Sequence, residues 1–317
     1  MHGLVIKSTG SSYHVLSENG DVTECHVKGN FRIRGIRSTN PVAVGDHVTV
    51  EQQTDGTNWI VDIDERKNYI VRRSTNLSKQ SHIIAANVDV AALIVTLYHP
   101  STSLTFIDRF LATAEAYCVP ACIIFNKTDL LSTNQQRQLQ AVRSIYDGIG
   151  YPTIAISAKY ITPEEKDSLL ERLQGVCLLS GNSGVGKSTL LNALLGEERA
   201  RIGNISSVHD KGMHTTTFSE MYRVQRGSNK SHDATESWII DTPGIKGFGA
   251  HDMQKEEISH YFKDIFAVSA HCRFGNCTHT GEPDCAVLRA VEKGDIAASR
   301  FNSYLSMLGD ADESKYR

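Results

Sequence analysis

The chain has 317 residues, of which 22% are charged and 40% hydrophobic, and its formal net charge is -3. That length holds two or three domains with separate cores, and the composition excludes disorder and collagen-like structure. The near-neutral balance means that any nucleic-acid contact must come from a local basic patch rather than a global field. The N-terminus "MHGLVIKSTGSSYHV" has no charged start before a long apolar run, and no apolar stretch is long enough to cross a bilayer. A soluble cytoplasmic protein is expected, monomeric and without a membrane partner.

In chain order, the runs "GLVIKS", "SYHVLS", "VTECHV", "DHVTVEQ" and "WIVDID" are strand-like and are separated by turn signals such as "ENGD" and "TDGTN". They predict a small all-β barrel. From about Val88 apolar strands alternate with helices: "VDVAALIVT", "FIDRFLATAEAY", "ACIIFNKTD", "NQQRQLQAVRSIY", "TIAISAK", "EEKDSLLERL", "VCLLSG" and "KSTLLNALL". "TFSEMYRV" and "SWIIDTPG" follow. This alternation predicts a mostly parallel sheet with helices on both faces. The remainder reads as three helices, "EEISHYFKDIF", "AVLRAVEKG" and "IAASRFNSYLSML", around a Cys/His cluster. The expected domains are therefore residues 1–72, 73–250 and 251–317.

"GNSGVGKS" has the form G-x-x-x-x-G-K-[ST], with a strand entering and a helix leaving, which is the context of a phosphate-binding loop. Gly181, Asn182, Ser183, Gly184, Val185 and Gly186 would turn backbone N–H groups inward at phosphate oxygens, aided by the helix dipole. Lys187 would neutralise the β- and γ-phosphates, Ser188 would bind Mg²⁺, and Thr189 completes the first helical turn.

"NKTD" selects the base. The Asp129 carboxylate can accept two hydrogen bonds from guanine N1–H and N2–H₂, a donor pair that adenine lacks. Asn126 would bond the N7 and O6 side, and the aliphatic stem of Lys127 would cover the ring. "SAK", Ser157, Ala158 and Lys159, lies one β-α unit later and can present the Ala158 N–H to guanine O6. In "DTPG" Asp241 can hold Mg²⁺ through water while the Gly244 N–H meets the γ-phosphate. Within "GMHTTTF" the register against "FSEMYRV" favours Thr216 as the mobile-loop Mg²⁺ ligand.

The order is unusual, because the base-reading loops precede the phosphate loop. A nucleotide-binding sheet needs its loops at the carboxyl ends of its strands, not in one chain order, and circular permutation at exposed sites is tolerated.

Cys272, Cys277, His279 and Cys285 supply three thiolates and one imidazole in the spacing C-x₄-C-x-H-x₅-C. This matches a closed tetrahedral zinc site that would hold together a domain too small for its own core. His271 would be a fifth ligand and is left out. Cys25, Cys118, Cys122 and Cys177 read as core thiols. Arg32 and Arg34 alternate on one strand face with Arg37 just beyond, a pattern that suits RNA phosphates and equally a solvated face. Residues 1–80 carry ten Lys and Arg against nine Asp and Glu, so the barrel as a whole is not basic.

"NKTD", "SAK", "GNSGVGKS", "GMHTTT" and "DTPG" in this order, between a β-barrel and "CRFGNCTHTGEPDC", resemble the circularly permuted bacterial small-ribosomal-subunit-dependent GTPases, the RsgA or YjeQ family, over essentially the whole chain. The resemblance implies an OB-fold barrel, a circularly permuted P-loop GTPase domain and a mainly α zinc domain. It also implies hydrolysis of GTP to GDP, rRNA binding, and action on the small ribosomal subunit late in its assembly. Many GTPases carry a glutamine just after D-x-x-G to orient the attacking water, but this chain has Ile245. His214 is the best internal substitute, and its counterpart in the family is regarded as catalytic. The competing class is a metabolic or RNA-modifying P-loop enzyme, which would need further catalytic carboxylates or a cysteine nucleophile; neither is found.

Overall fold

The computed structural model describes residues 1–9, 12–27, 41–73, 81–196, 219–224, 237–242 and 253–314, the side chains of 72, 73, 81, 82 and 312–314 excepted. The five strand-like runs at the start form β1 (His2–Ser8), β2 (Tyr13–Ser17), β3 (Val22–Val27), β4 (His47–Gln52) and β5 (Asn58–Ile63). They pair in the order β1-β2-β3-β5-β4 and close through β4 onto β1. Closure removes both free edges, and Val5, Tyr13, Val15, Cys25, Val48, Val50 and Ile60 fill the interior. A hairpin absent from the sequence reading follows, β6 (Tyr69–Arg73) against β7 (Ser81–Ala86).

Eight elements then alternate as expected: β8 (Val90–Val95), α1 (Leu104–Ala116), β9 (Ala121–Phe125), α2 (Thr133–Ile149), β10 (Thr153–Ala155), α3 (Pro163–Arg172), β11 (Val176–Gly181) and α4 (Lys187–Leu195). Local chemistry sets their ends. Ser132 with Gln135 and Thr162 with Glu165 form capping boxes for α2 and α3, and α3 has Pro163 in its first turn. β12 (Ser219–Val224) and β13 (Ser237–Asp241) complete a sheet in the order β10-β9-β8-β11-β13-β12. All its pairings are parallel except β12 with β13. The interior strand β9 is buried at every residue, as a parallel strand covered on both faces must be.

The sheet does not stop at β12. Strand β1 pairs antiparallel with it, Lys7 opposite Glu220, and the two side chains form an ion pair at 3.3 Å. Barrel and nucleotide sheet therefore run as one eleven-stranded ribbon.

"EEISHYFKDIF" was expected as one helix. It is a 3-10 segment, Lys255–Tyr261, followed by α5 (Lys263–Ser269), with the break at Phe262 in extended conformation. Phe262 is fully buried against the C-terminal core, and placing that ring costs the helix its continuity. Helices α6 (Ala286–Lys293) and α7 (Ala298–Ser314) complete this part, and α7 packs along α1. Among the described residues no helix is long and apolar enough to cross a membrane.

Candidate functional site

Five loops leave the same edge of the sheet. The registers place Val95 beside Phe125, Phe125 beside Ala155, Gly181 beside Ile94 and Asp241 beside Leu179, so β8, β9, β10, β11 and β13 all end at one level. The base-side and phosphate-side strand ends, far apart in the chain, stand side by side along this edge.

At this edge the predicted base-side and phosphate-side residues meet. Asn126, only 6% exposed, donates from Nδ2 to the Val185 carbonyl at 2.8 Å and accepts at Oδ1 from the Ala158 N–H at 2.9 Å. One amide thereby ties "NKTD" to the phosphate loop and to "SAK". Gly186 must be glycine for this contact, because its φ is +95 and a Cβ there would lie 2.3 Å from Asn126 Nδ2. Gly181 is similarly confined, with Ile94 O 2.5 Å from a Cβ placed on it.

The 3-10 turn Thr128–Leu130 presents Asp129, whose Oδ1 accepts from Ser157 Oγ at 2.6 Å. The residue before it, Lys127, adopts the left-handed conformation and sends Nζ to the His99 carbonyl at 2.8 Å. Burial lowers the Lys127 pKa from its ordinary value, with Asp129 acting in the opposite direction. Lys159 instead turns over the ring of Tyr160, 5.1 Å from its centroid.

On the phosphate side, Asn182, Ser183, Gly184, Val185 and Gly186 bridge β11 and α4, and Lys187, Ser188 and Thr189 form the first turn of α4. Lys187 Nζ lies 3.2 Å from Asp241 Oδ1 and also donates to the Thr242 carbonyl. The lysine thus joins the phosphate loop to the start of "DTPG". Gly244, His214 and Thr216 lie outside the described residues, as do Arg32, Arg34 and Arg37.

The second cluster is also assembled. The ligand atoms of Cys272, Cys277, His279 and Cys285 all lie within 4.8 Å of one another, and His271 is not among them. His279 Nδ1 is 3.6 Å from Cys272 Sγ and 3.4 Å from Cys285 Sγ, and those two sulfurs are 3.9 Å apart. A tetrahedron with metal–sulfur bonds of about 2.3 Å and metal–nitrogen bonds of about 2.0 Å has edges of roughly 3.5–3.8 Å, close to these three separations, so the cluster could hold a metal ion. It is far too long for a disulfide. Burial holds the His279 pKa below its usual value and keeps the imidazole neutral, as a ligand must be.

Glu282, which sequence reasoning passed over, shapes the loop. Its Oε1 accepts from the N–H and hydroxyl of Thr278 at 2.6 and 2.7 Å, and its Oε2 accepts from the N–H of Thr280 and Gly281 at 2.7 and 3.1 Å. Although burial opposes it, these donors pull the carboxyl down to about 2. The one hint in the sequence is an acid directly after the Thr and Gly residues whose N–H groups it binds.

Residues 63–251 match the family model described as RsgA GTPase, and residues 2–60 match that of the RsgA N-terminal domain. The chain belongs to the RsgA GTPase family. It is 57% identical to the small ribosomal subunit biogenesis GTPase RsgA of Phocaeicola vulgatus, over 100% of this chain and 99% of that one. Identity to the RsgA of Porphyromonas gingivalis is 51%, again over 100% and 99%. Among solved structures, YjeQ from Thermotoga maritima matches with a TM-score of 0.73 at 31% identity, covering 98% of both chains. YloQ, described as a circularly permuted GTPase, matches at 0.67 and 27% identity, over 98% of this chain and 95% of that one. That description agrees with the reversed loop order seen here between β9 and β11.

Proposed function

We propose that this protein hydrolyses GTP to GDP and phosphate and serves as a late assembly factor of the small ribosomal subunit, gripping rRNA in one nucleotide state and releasing it in the other. The single observation that carries the nucleotide reading is the Asn126 amide, which binds the Val185 carbonyl and the Ala158 N–H and so brings three nucleotide loops to one point. The ribosomal reading is supported by the name borne by relatives that align over the full chain.

Within this reading the residues divide by chemistry. Asn126, Lys127, Asp129, Ser157, Ala158 and Lys159 form the base side, and Gly181 to Thr189 cradle the phosphates. Ser188, Thr216 and Asp241 would hold Mg²⁺, which supplies neutralisation of phosphate charge when bound with GTP. Lys187 and Gly244 would meet the γ-phosphate, and His214 would orient water where many GTPases use the glutamine that Ile245 replaces. All five loops come from one chain, so a monomer suffices. The proposed units are the barrel over 1–72, the GTPase domain over 73–250 and the metal-binding domain over 251–317, in the cytoplasm where small subunits are built. Arg32, Arg34 and Arg37 are the barrel's candidates for rRNA phosphates.

Asp129→Asn is expected to move base preference from guanine to xanthine, since the amide offers a donor where xanthine has a carbonyl. Competition of GTP against XTP measures this, and unchanged GTP selectivity would show that "NKTD" is not the reader.

The metal of the Cys/His cluster is proposed to be zinc. Four protein ligands leave no open position, so it supplies a cross-link and no reaction chemistry. Elemental analysis should find about one zinc per chain. Cys277→Ser should loosen the C-terminal helices without emptying the nucleotide site; folded, metal-free protein would count against zinc.

Small subunits should accelerate hydrolysis, and protein bound to a non-hydrolysable GTP analogue should pellet with them more tightly than the GDP form, by about 1–3 kcal/mol. Linkage requires the subunit to raise analogue affinity by the same factor. His214→Ala should remove most of the stimulation and leave binding intact. Equal binding in both states with unstimulated turnover would instead favour an RNA-modifying or metabolic P-loop enzyme.

A further inference from the structure

The segment between β8 and α1, "LYHPSTS", belongs to none of the nucleotide motifs, yet it touches two of them. The His99 carbonyl accepts from Lys127 Nζ at 2.8 Å. The Pro100 ring lies against the phosphate loop, its Cγ 3.5 Å from where a Cβ on Gly184 would stand. This segment is therefore wedged between the base side and the phosphate side.

Its shape is fixed from below by Thr96, which directly follows β8 and is 1% exposed. Thr96 Oγ1 donates to the Pro100 carbonyl at 2.5 Å. Its backbone N–H donates to Thr102 Oγ1 at 3.4 Å, and the Thr102 N–H returns to the Thr96 carbonyl at 2.8 Å. Tyr98 anchors the far side, its hydroxyl donating to Gln138 of α2. His99 takes a left-handed φ of 59, and its carbonyl faces the lysine.

We infer that Thr96 is a positioning residue for guanine-nucleotide binding: through the Pro100 and His99 carbonyls it holds the Lys127 ammonium, so that the lysine stem is already in place over the purine. The inference rests on "NKTD" being the guanine-reading loop. A lysine has a long flexible stem, and covering a base with it costs that freedom on binding unless its end is already tethered. The tether here is a main-chain carbonyl, so its position depends on the clasp and not on the identity of any side chain at position 99. A buried threonine whose hydroxyl served only to fill the turn would have no influence on what Lys127 does.

The test is a double-mutant cycle on the full chain, reading the Kd of fluorescent N-methylanthraniloyl-GDP. Thr96→Val keeps the shape and deletes the hydroxyl, and it should weaken binding about fivefold, the size expected for one lost hydrogen bond. Thr96→Ser should restore wild-type affinity. In a Lys127→Ala background, Thr96→Val should add less than about twofold, because the group it positions is gone. Thr102→Val, which opens the other side of the clasp, serves in the same cycle if Thr96→Val does not fold. An equal loss in both backgrounds would make the clasp merely structural and overturn the inference, as would no loss in either. If the wild type fails to bind the GDP probe, or Asp129→Asn leaves base preference unchanged, the guanine reading itself falls, and the inference with it.

Discussion

Replacing Lys187 by alanine is expected to lower GTP turnover at least about a hundredfold, the scale seen when a preorganised group facing developing charge is removed. Its ammonium stands at the meeting point of α4 and β13, 3.2 Å from Asp241 Oδ1 and bonded to the Thr242 carbonyl. Those partners hold the charge at the mouth of the phosphate loop before any phosphate arrives. Lys187 is nearly enclosed, with its side chain 10% exposed, so the interaction with phosphate is made in a site where charge is poorly screened by water. Single-turnover phosphate release measures the loss, and thermal melting verifies that the variant stays folded. Normal hydrolysis by this variant would mean that the phosphates bind elsewhere.

Arg300→Ala is expected to destabilise the fold by about 3–5 kcal/mol, the usual cost of removing one partner from a buried ion pair. Arg300 on α7 is 1% exposed and joins two parts of the molecule. Its Nη1 donates to Asp108 Oδ1 of α1 at 2.8 Å, while Nη2 and Nε donate to the Asp264 carboxylate of α5 at 2.7 and 3.1 Å. Tyr146 of α2 adds its hydroxyl to Asp108 Oδ1 at 2.9 Å. The pin therefore fastens the metal-cluster helices to the base-reading half of the nucleotide domain.

Burial already pushes the Asp108 carboxyl above its ordinary pKa, with Arg300 opposing the shift. Without Arg300 the folded-state pKa rises further above the unfolded value. Below that folded pKa Asp108 is neutral and the penalty is small; above it the native state carries an unpaired buried charge. The destabilisation should accordingly be greatest at neutral pH and shrink on acidification, and Asp108→Asn should cost little more in the Arg300→Ala background. Urea unfolding of the four variants at two pH values tests both statements. An equal cost at both pH values would mean that packing, not charge, dominates at this contact.

Much of this was legible before the fold was known, for a reason that differs by element. The phosphate loop was readable because its chemistry is carried by consecutive backbone groups and demands glycine at fixed spacing; Gly186 admits no side chain at all. The Cys/His cluster was readable because soft ligands are few and these fall within fourteen residues. The β6–β7 hairpin leaves no clear signal in the sequence, and "EEISHYFKDIF" has the pattern of one helix because the burial of Phe262 that interrupts it is a tertiary event.

What the sequence alone determined were the local chemistries: which strand ends bear nucleotide loops, which base those loops suit, which residues can hold a metal, and that the loops come in permuted order. What the tertiary structure alone decided were the contacts between residues far apart in the chain. Asn126 reaches Val185 across 59 positions, Arg300 reaches Asp108 across 192, and Lys7 of the barrel meets Glu220 across 213. A motif is legible when its parts are neighbours along the backbone, because spacing then fixes geometry. The arginine at Arg300 and the threonine at Thr96 look like any other polar residue until burial leaves each with a specific partner to satisfy.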